Sequence, residues 1–164
     1  VMLCFLRRCL VFVVLLPMTT HGGESMSVDI KRLTIEAATK VVHAAMVECR
    51  KKGIQIAVAV VDRGGNMQIG ARDTLAVDLT LRIAREKAYT AISFNTATSA
   101  LANRSASALG SLDGLVMAGG GLPIDIGGNI YGAVGVSGAP SSKTDEACAR
   151  AGINAIIEDL EMAD

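Results

Sequence analysis

His43 is the one histidine beyond the first 25 residues of this chain. At about 100° per residue it projects to the edge of an apolar helical face, with Thr39, Met46 and Arg50 beside it. An imidazole next to a thioether, with a guanidinium two turns further on, is a set that could ligate a haem iron. His43 would be the axial ligand, and therefore the metal ligand, while Arg50 meets a propionate. The alternative is a boundary histidine with no ligand, and spacing alone favours it.

A second set lies in the glycine-rich part. Gly119, Gly120 and Gly121, with the helix that opens at Ser141, form a candidate loop for an anion or small ligand; ordinary helix capping by Ser141 is the plainer reading. A phosphate loop is excluded, because Gly138-Ala139-Pro140-Ser141-Ser142-Lys143-Thr144 lacks the glycine before the lysine. Ser137 is no nucleophile elbow, since Ala139 stands where the second glycine belongs. No His-Glu-x-x-His or Cys-x-x-Cys run is present, so no zinc site and no catalytic residue is assigned.

The elements that must position these groups follow from periodicity. Thr34 caps a helix with Ile35, Ala38, Val42, Ala45, Met46 and Cys49 on one face, ending at Lys51-Lys52-Gly53. Residues 54–61 form a buried strand, Asp62-Arg63-Gly64-Gly65-Asn66 a turn, and 67–71 a return strand. A helix is expected from Asp73 or Thr74 to about Phe94, with Leu75, Leu79, Ile83, Ala88, Ala91 and Ile92 mostly on one side. A short helix is expected within 98–108. Ile124-Asp125-Ile126 and residues 130–136 flank Gly127-Gly128-Asn129 as a second hairpin. The last helix starts at Ser141 or Ser142, with Asp145 or Glu146 complementing the dipole in its first turn, and runs through Leu160. Helix, hairpin, helix, hairpin, helix predicts an α+β domain with a largely antiparallel sheet, and removes βαβ folds.

With 164 residues, 51% hydrophobic and 3% aromatic, the chain predicts one domain with a core of Ala, Val, Ile and Leu. Sixteen basic residues balance sixteen acidic ones and there is no Trp, so nucleic acid is not an expected partner. Residues 1–25 read as a leader: Arg7 and Arg8, an apolar run from Cys9 to Leu16, then Pro17 and small polar residues. They are a secretory signal or a misassigned start before Met26, so the protein is secreted or periplasmic in the first case and cytoplasmic in the second. The run is too short to span a bilayer. Without the leader, Cys49 and Cys148 remain. Free buried thiols are the expected state, with one bridge left open in an oxidising compartment.

Several segments in order resemble the GlcG/HbpS family. These are Leu33-Thr34, Val60-Val61-Asp62-Arg63-Gly64-Gly65-Asn66, Lys87-Ala88-Tyr89-Thr90-Ala91, Gly119-Gly120-Gly121-Leu122-Pro123-Ile124, Gly132 to Ala139, Asp145-Glu146 and Ala149-Arg150-Ala151-Gly152. The resemblance spans about Leu33 to Leu160. It implies a profilin-like fold over 26–164, assembly into a homo-oligomer, and haem as cofactor, since some members bind haem through a first-helix histidine. Its members include secreted haem-binding proteins, the C-terminal domain of PduO-type proteins, and proteins encoded beside catabolic operons. Lys87 and Asp62 match motif positions, with a structural role for each at least as well founded as a functional one. Three functions stay open: binding haem to sense or sequester it, acting on a small organic acid or aldehyde, or a ligand-free structural oligomer.

Overall fold

The computed structural model describes residues 25–162, so the leader expectation, apart from Ser25, lies outside the described residues. Within them run α1 (Ile35–Arg50), β1 (Ala57–Asp62), β2 (Met67–Arg72), α2 (Leu79–Phe94), two 3-10 turns (Thr98–Arg104 and Ala108–Ser111), β3 (Gly121–Ile126), β4 (Asn129–Ser137), α3 (Ser142–Asn154) and α4 (Ile157–Glu161). The sheet order is β2-β1-β4-β3 and every pairing is antiparallel. The α+β architecture built from two hairpins is as the sequence predicts.

The turns form for local reasons. Asp62 Oδ1 accepts from the backbone N–H of Gly64 at 2.8 Å and of Asn66 at 2.9 Å, folding the first hairpin over itself. Gly127 and Gly128 close the second with φ of +59° and +79°, the two positive values that a tight hairpin turn demands.

The sheet carries two unlike faces. Val58 and Val60 of β1, with Leu122, Ile124, Val134 and Val136, pack under α1 and α3 in the main core. Ala57, Ala59, Val61 and Ala133 meet Ala84, Ala88 and Ala91 of α2 on the other side. That second contact is backbone to backbone. A methyl added at Gly135 would lie 1.9 Å from the carbonyl oxygen of Ala84, and one at Gly121 would lie 2.3 Å from that of Lys87. Small residues are therefore required on both surfaces, which explains the alanine-rich, aromatic-poor composition.

Four expectations are corrected. Cys49 and Cys148 are not free thiols: they form a disulfide with their Cα atoms 5.7 Å apart, 99 residues apart in sequence. The second helix begins at Leu79, not at Asp73 or Thr74. Asp73 is occupied by Arg50, and 73–78 form an ordered turn that leaves Leu75 79% exposed and Leu79 48% exposed. The last helix breaks at Ala155–Ile156, and α4 is separate. Ile35, placed on the buried face by spacing, is half-exposed, and Val41 fills that face instead.

Candidate functional site

α1 sets the surroundings of His43. Its inward face buries Ala38, Val41, Val42, Ala45, Met46 and Cys49, which turns His43 to solvent. The imidazole has no hydrogen-bond partner among the described residues, so its ring nitrogens are open to a ligand.

The structure separates the other three members of the expected cluster. Met46 is 8% exposed and belongs to the core. The Thr39 hydroxyl donates to the carbonyl of Ile35 at 2.7 Å, within its own helix. Arg50 donates through Nε and Nη2 to the two carboxylate oxygens of Asp73, both at 2.8 Å. Those hydrogen bonds hold the Asp73 carboxyl below its usual range, against the opposing effect of burial. Lys40, one turn before His43, donates to Asp159 at 2.7 Å. The Arg50 and Lys40 side chains keep 51% and 52% of their surface exposed, so both cations stay reachable on the outer face of α1.

The second set does converge. Gly119–Gly121 runs beside the start of α3, where Ser141 caps by accepting from the Thr144 N–H. A methyl at Gly120, whose φ is +121°, would strike the Val136 carbonyl at 2.6 Å and the Lys87 ammonium at 2.9 Å. Beneath the loop Lys87 donates to Asp145 at 2.8 Å and to the Val136 carbonyl at 3.0 Å, while Asp145 also accepts from the Ala139 N–H. Both side chains are 5% exposed. Burial pushes the Asp145 carboxyl up, and the Lys87 ammonium and the Ala139 N–H pull against it. Asp145 lies in the first turn of α3 as the sequence predicts, but buried, where it ties α2, β4 and α3 together.

Outside this junction a cleft of about 380 Å³ opens between Ser99 and the outer face of α3, lined also by Ser142, Lys143, Glu146 and Arg150. A second, of about 330 Å³, lies along α1 beside Lys40, Ala37 and Leu160. Sequence reasoning missed the partner of Arg50, the Lys87–Asp145 pair and the lining of the α3 cleft. A signal existed for the pair, since Lys87 interrupts the small-residue stripe Ala84, Ala88, Ala91 and so needs a buried anion. Asp62, like Lys87, has a structural task. Burial raises its pKa, but the Asn66 and Gly64 hydrogen bonds and Arg32 outweigh it and the carboxyl is held low.

A small antiparallel sheet between one alanine-lined helix and two core helices defines the class of fold. Residues 33–154 match the model of the family described as haem-degrading protein HbpS-like, and the chain belongs to that family. It is 40% identical to HbpS, covering 79% of this chain and 93% of that one with a TM-score of 0.74. It is 26% identical to PduOC, solved as a haem complex, covering 76% and 95% with a TM-score of 0.71. An uncharacterised 15.0 kDa protein of Citrobacter freundii, from the dhaT-dhaS intergenic region, is 33% identical over 119 residues, 68% of this chain and 84% of its own.

Proposed function

We propose that this chain binds haem on the outer face of α1, with His43 as axial ligand, and that it senses or sequesters the haem. The observation that carries this reading is the exposed imidazole of His43, with no hydrogen bond among the described residues, on the first helix of a chain in a haem-related family. The donor set fits one axial position. Lys40 and Arg50 flank it on the same face, half-exposed, and would share with propionates the donors they now give to Asp159 and Asp73. Met46, turned into the core, is not available as a second ligand. Bound haem would supply an iron whose remaining coordination site exchanges ligands; the chain's part is to hold and orient it.

Haemin titrated into residues 26–164 is expected to give a saturable Soret shift, with His43→Ala weakening binding by at least about tenfold. A shift untouched by the substitution would retain haem and reject His43. No saturable shift would reject the haem reading.

The α3 cleft favours a second reading, a small organic acid. Lys143 and Arg150 make no ion pair among the described residues and border the cleft with two serine hydroxyls, while Glu146 adds an acceptor. That mixture suits a molecule bearing both a carboxylate and a hydroxyl. Calorimetry with small hydroxy acids should then show binding that Arg150→Gln abolishes and His43→Ala leaves intact.

Assembly into a homo-oligomer belongs to the same proposal. Leu75 and Val77 are 79% and 69% exposed on a turn held in place by Arg50–Asp73 and by Gln55, which accepts from the Leu75 N–H at 2.7 Å. A turn ordered to present apolar side chains outward suits a second copy.

A further inference from the structure

We propose that the Cys49–Cys148 bridge is a permanent staple closed as the chain is exported, and that residues 1–25 are the export signal. The two cysteines come from α1 and α3, on the same face of the sheet, and both are fully buried in the main core. The helices touch closely enough that a methyl at Gly152 of α3 would lie 2.7 Å from the Val41 carbonyl of α1. A Cα separation of 5.7 Å is within the reach of a disulfide without backbone movement. The bridge encloses β1 through β4, so it restrains the unfolded form of nearly the whole domain.

Burial fixes when the bond must form. Neither an oxidant nor a reductant reaches sulfurs without exposed surface, so closure precedes or accompanies packing of α1 against α3. Two thiols give up two protons and two electrons to a protein disulfide of the thiol–disulfide oxidoreductase class, which leaves as a dithiol. A reducing cytosol withholds that acceptor, whereas a chain emerging unfolded into an oxidising compartment meets it. The leader supplies the route: Arg7 and Arg8 precede the apolar run from Cys9 to Leu16. Its removal also takes away Cys4 and Cys9, and the two cysteines left are the two that pair. No surplus thiol remains to pair wrongly.

The test expresses the full chain in a bacterial host with a periplasm. Cell fractions are unfolded in an alkylating reagent without reductant, and intact masses are read. The expected product lies outside the cytoplasm, is shortened near residue 25 and takes up no reagent. On that product, dithiothreitol opens the bridge only when denaturant is added. A Cys49→Ala/Cys148→Ala variant should melt lower by on the order of 10 °C. An unprocessed cytoplasmic chain, or an exported one that alkylates at both Cys49 and Cys148, would overturn the proposal.

Discussion

Lys87 and Asp145 show how a charged residue can be indispensable without facing a ligand. Each offsets part of the other's desolvation penalty, and each is anchored further by a backbone group, Val136 O for the lysine and Ala139 N–H for the aspartate. Lys87→Met should therefore cost about 3–5 kcal/mol in urea unfolding, because it strands a buried carboxylate. The double variant Lys87→Met/Asp145→Leu should recover most of that loss, since an apolar pair of similar volume needs no partner. Recovery would fail if the two residues acted separately. Asp73 has a different signature. Arg50 depresses its pKa in the folded chain below the ordinary value of 3.8. Its stabilisation is thus fully present above that value and is lost as pH falls through the lower, folded value. Melting temperatures from about pH 5 to about pH 2 should fall less steeply for Asp73→Asn than for the parent chain. An unchanged slope would show that the ion pair contributes nothing to acid sensitivity.

At the scale of elements, α2 is held by what its neighbours lack. Gly135 and Gly121 bring the sheet backbone against the helix backbone, and Ala57, Ala59 and Ala133 fill the rest of a shallow interface. Gly135→Ala should destabilise by about 3 kcal/mol or more, since the obstacle at 1.9 Å is a carbonyl that cannot rotate aside. Gly53→Ala is the contrasting case. A methyl there meets open space, and the cost is about 1 kcal/mol from its φ of +72° alone. Equal losses at the two positions would deny the backbone contact its role. α1 is organised differently: Val41, Val42 and Met46 point inward, and its outer stripe carries the exposed His43 between Lys40, paired with Asp159, and Arg50, paired with Asp73.

For the whole molecule, a buried bridge and an outward apolar turn predict that stability and any association through that turn can be changed separately. Leu75→Asp/Val77→Asp should leave the melting temperature nearly unchanged, because both side chains are already mostly exposed. The same variant should lower the mass found by sedimentation if the turn joins copies. A parent chain that sediments as a monomer would reject assembly through this surface.

Local chemistry was enough to place both hairpins, the caps at Thr34 and Ser141, and the element order, because turn glycines and hydrophobic periods act over a few residues. The orientation of His43 was legible as an edge position, and the structure leaves it exposed there. What local chemistry could not reach were pairings between elements far apart in sequence: Arg50 with Asp73, Lys87 with Asp145 over 58 residues, Cys49 with Cys148 over 99. Each depends on which helix lies on which face, and periodicity reports only that a helix has a buried side. The start of α2 illustrates the same limit, since Leu75 keeps the helical spacing while Asp73, bound to Arg50, holds the chain in a turn. Sequence alone determined the order and type of the main elements and the stock of chemical groups; tertiary packing decided where α2 begins and α3 ends, which charges neutralise each other, which sulfurs join, and that the only imidazole among the described residues faces outward.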